Sequence, residues 1–147
     1  MQGALGLRLL GLGPRYLPRK GLIQLQDLLN KNAFWARRRS QSDLKTMLSN
    51  SQVIVSLWRQ HQMIGFGRAL SDEIYRAVIW DVVIDQKYQY LGLGKKIIDS
   101  ILENKKISKV KKIYLMTTNC KNFYLKMGFY PEENQSLMTI NKEHNLI

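Results

Sequence analysis

Between an apolar run, Ile79 to Ile84, and a helix-like run, Lys95 to Leu102, the chain reads Gln89-Tyr-Leu-Gly-Leu-Gly94. A strand that leads through a glycine turn into a helix fixes one corner of the fold and makes a candidate phosphate cradle. Glycines let the backbone turn tightly and come close to a ligand, and the first amides of the following helix have no intrahelical acceptor. Gln89, Tyr90, Leu91, Gly92, Leu93 and Gly94 therefore suit a pyrophosphate-bearing cofactor. Two glycines ahead of a helix are also what a plain turn looks like, so the motif alone leaves both readings open.

Upstream, Leu22, Leu25, Leu28 and Leu29 recur at helical spacing. Ser40-x-x-Asp43 opens a second helix as a capping box, with Asp in place of Glu or Gln, and Leu44, Met47 and Leu48 form its buried stripe. Gln52 to Arg59 and Gln62 to Leu70 read as strands joined tightly at Gln60-His61, and Ser71-Asp72-Glu73 turns the chain into a third, Tyr75 to Ile84. Three successive antiparallel strands are predicted. Lys111 to Met116 is a further strand, parallel because the helix before it is long enough for a crossover, and Leu137 to Ile140 is a candidate last strand.

Residues 21–147 show no repeat and no linker and read as one domain. Residues 1–20 differ: they are rich in leucine and glycine, carry Arg8, Arg15, Arg19 and Lys20, and contain no acid. They read as a basic tail, or as an edge strand in which Leu5, Leu7 and Leu9 alternate. A short organellar presequence is a third reading, weakened by the absence of Ser and Thr. The apolar run is broken at Arg8 and falls far short of the roughly 18 residues a membrane span needs, so no membrane association is expected.

A chain of 147 residues that is 45% apolar is long enough for a single core and is not wholly disordered. Cys120 is the only cysteine, which rules out an internal disulfide and a cysteine cluster for zinc. His61 and His144 have no ligand-like spacing, and no metal is predicted. A reducing compartment fits: the cytoplasm is expected, with a plastid stroma as the alternative. The net charge of +12 suggests an anionic partner, and a phosphorylated cofactor, an acidic protein surface and nucleic acid all qualify. Much of the excess lies in Lys95, Lys96, Lys105, Lys106, Lys109, Lys111 and Lys112, of which the distal members read as a solvated face. Lys95 and Lys96 oppose the helix dipole in a first turn, a cost that a nearby phosphate reverses.

Near the C-terminus, Asn119-Cys-Lys-Asn-Phe-Tyr-Leu-Lys-Met-Gly-Phe129 carries the pattern Phe-Tyr-x-x-x-Gly-Phe. Together with Gln89-x-x-Gly92-x-Gly94 it resembles the GCN5-related N-acetyltransferases, which acetylate amines from acetyl-CoA. Ala33-Phe-Trp-Ala, Ile64-Gly-Phe-Gly-Arg-Ala, the run Tyr75 to Ile84 and Tyr114-Leu-Met-Thr-Thr look like the small cyanobacterial and plastid branch of that superfamily. The resemblance implies an α/β fold with a mixed, mainly antiparallel sheet flanked by helices, and acetyl-CoA as acetyl donor. As acceptor it implies an arylalkylamine such as serotonin, or a lysine or N-terminal amine of a protein; the expected assembly is a monomer or a homodimer.

Acetyl transfer from a thioester to an amine needs anchored phosphates, a polarised acyl carbonyl, a deprotonated amine and a proton for the departing thiolate. Gln89 to Gly94, helped by Lys95, are the anchor. By resemblance, Val82, Val83 and Ile84 pair their backbone with the pantetheine arm, as a strand pairs with an added strand, and one amide polarises the acetyl oxygen. Their side chains suit plain core equally well. Tyr124 is the expected acid, since a phenol with a pKa of about 10 is protonated at neutral pH and the family pattern places a tyrosine here for that role. Packing of a helix tyrosine on the sheet is the alternative, although Phe123, Met127 and Phe129 already supply an apolar face and leave Tyr124 free to point elsewhere. Asn119 and Asn122 cap the same helix or touch the CoA.

Several family members place Glu or His on the strand before the cofactor motif, whereas the only carboxylate inside that strand here is Asp81. A lone Asp in an apolar strand is expensive to bury unpaired, so Asp81 either contacts polar groups structurally or faces a wet cleft and handles the amine proton. Asp85 is the weaker second candidate. Trp80, Phe34 and Trp35 are candidate walls for an aromatic acceptor, while core packing is the more usual fate of large aromatics such as Phe34 and Trp35. Two other functions remain at this stage: a catalytically inactive CoA-binding regulatory protein, and a basic nucleic-acid-binding module. The second needs aromatics interleaved with basic residues, and segment 105–112 has none.

Overall fold

β2 (Val53–Arg59), β3 (Gln62–Ser71) and β4 (Arg76–Ile84) follow one another as antiparallel strands, as the alternating and β-branched runs predict. The computed structural model describes the backbone of residues 7–10 and all of residues 21–143. The first connection is the tight turn at Gln60-His61, with Gln60 left-handed at φ 53. In the second, the Asp72 carboxylate accepts from the amides of Ile74, Tyr75 and Arg76 at 2.9, 2.7 and 3.0 Å, which closes the turn with a side chain. β1 (Leu7–Leu10) pairs antiparallel with β2 at one edge, where an edge strand was one of three readings; Leu5 and the rest of segment 1–20 lie outside the described residues. β5 (Lys112–Leu115) pairs parallel with β4 after the crossover helix α3 (Leu93–Glu103), giving the order β1-β2-β3-β4-β5.

Helices α1 (Gly21–Asn32) and α2 (Gln41–Ser49) bury Leu25, Leu28, Leu29, Leu44 and Leu48 against Ile54, Trp58, Met63, Phe66 and Val83 of the sheet. Each such side chain contributes about 2 kcal/mol of apolar burial. Ser40 starts α2 as the capping pattern predicts, its hydroxyl accepting from the Asp43 amide at 3.0 Å. On α3 the buried stripe is Leu93, Ile97, Ile98 and Ile101. Glycines on β3 let this helix sit close to the strands: a Cβ on Gly67 would lie 2.7 Å from Ile97 Cγ2, and one on Gly65 would lie 2.9 Å from Ile97 Cδ1.

The register contains one irregularity that matters for the site. Phe66 pairs with Val83 but Arg68 pairs with Trp80, so Asp81 and Val82 together face the single residue Gly67. This is a β-bulge, with Asp81 left-handed at φ 55. β5 pairs only with Arg76 to Ile79, and among the described residues the β4 edge from Trp80 to Ile84 has no strand beside it on that side.

The chain divides into two compact units between Met116 and Thr117. In the second, α4 (Lys121–Lys126) ends at Gly128, whose φ of 96 suits a glycine, and the amide of Phe129 returns to the Tyr124 carbonyl at 3.1 Å. The candidate strand Leu137 to Ile140 does not form. Leu137, Met138 and Ile140 are 71, 84 and 84% exposed, and among the described residues no neighbouring backbone supplies the ladder a strand needs.

Candidate active site

The turn into α3 forms where its sequence pattern lies. Gln89 Nε2 donates to the Ile84 carbonyl at 3.1 Å and ties the loop to the end of β4. Tyr90 is left-handed at φ 64, and Gly92 caps α3 with φ 77. No side chain caps the N-terminus of α3 and no acid lies in its first turn, which leaves its amides and dipole to an external anion. A Cβ placed on Gly92 meets nothing within 4 Å, so the space above the turn is open to a ligand that approaches the backbone. These features fit a pyrophosphate. Lys95 stands exposed in the first turn and pairs with Asp99 at 2.6 Å along the helix. Asp85 is engaged elsewhere, its carboxylate accepting from the Lys87 amide at 2.9 Å to start a short turn at Gln86–Tyr88.

Asp81 lies at the bulge on the α1/α2 face, its side chain only 2% exposed. Three donors converge on it: Trp35 Nε1 at 3.0 Å on Oδ1, and Arg39 Nη1 at 2.9 Å and Arg68 Nε at 2.8 Å on Oδ2. Burial alone would raise its carboxyl, but the hydrogen bonds from Arg39 and Arg68 outweigh that and hold it below the usual carboxylate range. A proton acceptor works best with a pKa near the working pH, so these surroundings argue against the base role considered for Asp81 and favour a positioning one. Arg39 and Arg68 were not singled out from sequence. A lone Arg in the apolar run Ile64 to Leu70, next to a strand with a lone Asp, was the available signal.

A stability consequence follows from this pairing. Asp81→Asn leaves two guanidinium groups around a neutral amide and is expected to lower stability at pH 7 by about 3 kcal/mol, the scale of breaking a buried pair. That is roughly 8 °C in Tm. Because the folded carboxyl is depressed, its contribution is present above the unfolded pKa of about 3.9 and is lost as pH falls through the folded value. Thermal melts of the variant and the native protein should therefore differ fully at neutral pH and converge in strong acid.

Phe34 and Trp35 are 59 and 47% exposed, so the core placement favoured for them is corrected. They form a short turn between α1 and α2, pack edge to face at 5.1 Å, and the indole bond to Asp81 fixes the Trp35 ring. Trp80, opposite Arg68 in the register, is also exposed. Val83 belongs to the core, while Val82 and Ile84 are half-buried.

In the second unit, Tyr124 is half-buried and packs edge-on against Phe123 and Phe129, with centroids 4.9 and 5.8 Å away, rather than turning from them. Burial, with a smaller effect of Cys120, pushes its phenol up to about 12. It stays protonated at neutral pH. Neither Asn119 nor Asn122 caps α4: Cys120 is the N-cap residue, and Asn119 Oδ1 instead accepts from Cys120 Sγ at 3.3 Å.

Residues 49–131, more than half of the chain, match the profile of the acetyltransferase (GNAT) domain. The chain belongs to this family. Its relatives place it in the cyanobacterial and plastid branch. An uncharacterized N-acetyltransferase, ycf52, of Pyropia yezoensis is 35% identical over 113 residues, covering 74% of this chain and 64% of the relative. The histone acetyltransferase TAP1 of Glycine max is 34% identical over 120 residues, covering 74% of this chain and 51% of the relative. The GNAT chain thus spans less than two thirds of the length of these relatives. A solved GNAT-family acetyltransferase from Streptococcus pneumoniae shares the fold, with a TM-score of 0.74 at 20% identity, covering 93% of this chain and 99% of that one. The mixed, mainly antiparallel sheet flanked by helices is the fold expected of the family. Among the described residues, no helix is long and apolar enough to cross a membrane.

Proposed function

We propose that the protein is an N-acetyltransferase that moves an acetyl group from acetyl-CoA directly to a primary amine. The observation that carries this reading is the uncapped start of α3, with Gly92 left-handed and open space above it, at the end of a strand whose outer edge from Trp80 to Ile84 has no partner strand among the described residues. The backbone of Gln89 to Gly94 holds the pyrophosphate, and the free edge at Val82 to Ile84 offers backbone groups to the pantetheine arm. Acetyl-CoA supplies the activated acyl group. Tyr124, which a pKa of about 12 keeps protonated at neutral pH, is the hydroxyl that gives a proton to the thiolate. With the Asp81 and Asp85 carboxylates both engaged, the amine proton passes to solvent. Asp81 sets the Trp35 ring, and Phe34, Trp35 and Trp80 form the wall against which an acceptor rests. An arylalkylamine, or a lysine or N-terminal amine of a protein, fits this wall. The exposed, unpaired Cys120 suits a reducing compartment, the cytoplasm or a plastid stroma.

As a positioning residue, Asp81 should lose the same proportion of kcat/KM at every pH when changed to Asn; a deficit that shrinks toward the amine's own pKa would restore the base role. Lys95→Ala should weaken acetyl-CoA binding less than about tenfold, and the loss should disappear at high salt, because an exposed charge is screened. Calorimetry at two ionic strengths measures this. The reaction itself is tested by initial rates with acetyl-CoA and amine both varied, over arylalkylamines, polyamines and peptides. Direct transfer gives intersecting lines, and an acetylated enzyme gives parallel ones. Acetyl-CoA binding with no turnover on any amine would favour the CoA-binding regulatory protein.

A further inference from the structure

We propose that the acceptor is an anionic amine, with a carboxylate or phosphate close to the nitrogen it offers, and that Arg37 and Arg38 select it. This rests on the acetyltransferase reading. Trp35 and Arg39 both donate to Asp81, one to each oxygen, so the loop between them is pinned at both ends on a single carboxylate. Arg37 and Arg38 lie inside that loop and are exposed. Neither forms an ion pair among the described residues. Arg68 reaches the same carboxylate from β3. Among the described residues, the acids closest in sequence and the one buried carboxylate do not balance these four guanidinium groups: Asp81 is shared by Arg39 and Arg68, Asp27 pairs with Lys31, and Asp43 is a single carboxylate.

Phe34 and Trp35 thus share a loop with two exposed guanidinium groups, Arg37 and Arg38, that no ion pair among the described residues neutralises. An ammonium-bearing acceptor without an acid of its own, such as a polyamine or a basic peptide, meets repulsion there. A carboxylate beside the amine meets guanidinium donors suited to it in geometry and charge. The aromatic wall adds a face for a ring on the same molecule.

Tryptophan and tryptamine share ring and amine and differ by the carboxylate, so they isolate the effect; spermidine is the cationic control. Binding to the CoA-loaded protein by calorimetry should favour tryptophan about tenfold at low salt, the scale of one hydrogen bond to a charged group. The preference should fade at roughly 0.5 M salt, where the screening length is only a few ångströms. The double variant R37Q/R38Q should abolish the preference while keeping acetyl-CoA affinity. A peptide beginning Ser-Glu-Glu, set against one beginning Ser-Lys-Lys, shows whether the anion belongs to a polypeptide or to a free amino acid. Tighter binding of tryptamine or spermidine, a preference that survives in the double variant, or no binding of either anionic probe would overturn the proposal. A preserved binding preference with no thiol release from any amine would instead sink the acetyltransferase reading and leave Arg37 and Arg38 as a binding site for an anionic amine that is not an acceptor.

Discussion

Gly92→Val is expected to weaken acetyl-CoA binding by roughly two orders of magnitude while the protein stays folded. The residue has φ 77, which a β-branched side chain adopts only with strain of about 1–2 kcal/mol, and its Cβ would enter the open space above the turn, where the proposed cradle would take a phosphate. That strain is common to the free and the loaded protein and lowers stability, whereas losing one hydrogen bond to a charged oxygen costs binding about 1.5–3 kcal/mol, the upper end of which is about 10²-fold in Kd. The helix itself should survive, because Leu93, Ile97, Ile98 and Ile101 seat it independently of the turn. Gly92→Asn, a residue that tolerates the left-handed region, should be milder. Calorimetry on variants with native circular dichroism decides the matter, and unchanged affinity in Gly92→Val would remove the pyrophosphate from this turn.

Tyr124→Phe should lower kcat by about 10²-fold or more and leave acetyl-CoA affinity nearly unchanged, since only a group used in the transition state is lost. The ring packing on Phe123 and Phe129 is retained, so stability should barely move. The phenol, pushed up to about 12, stays protonated over the whole accessible range. In the native enzyme kcat/KM should therefore rise with pH as the amine loses its proton, with no alkaline decline from this tyrosine until pH approaches that value. Full activity in the variant would reduce Tyr124 to packing.

Local patterns in the chain carried most of the fold. The stripe in α1, the cap at Ser40, the tight turn at Gln60-His61 and the passage from β4 through Gly92 into α3 each depend on neighbours within a few residues, and each formed where its pattern lies. Features that depend on distant partners were not legible. The surroundings of Asp81 come from Trp35, Arg39 and Arg68, which periodicity cannot bring together, and the bulge that turns Asp81 shows only in the pairing of Phe66 and Arg68. Phe34 and Trp35 have the composition of core residues but occupy a short turn that leaves them exposed. Leu137 to Ile140 has the pattern of a strand and lacks the partner that would make it one. At the start of α4, Cys120 rather than either asparagine holds the capping position, a shift of one residue that spacing does not resolve.

The most direct measurement counts free thiol and N-acetylated amine in the same reaction with acetyl-CoA. Acetyl transfer predicts equal amounts of the two, both dependent on the amine, both strongly reduced in Tyr124→Phe, and reduced in Gly92→Val at sub-saturating acetyl-CoA. Thiol release without acetylated amine, or no release with any acceptor while acetyl-CoA binds, would contradict it.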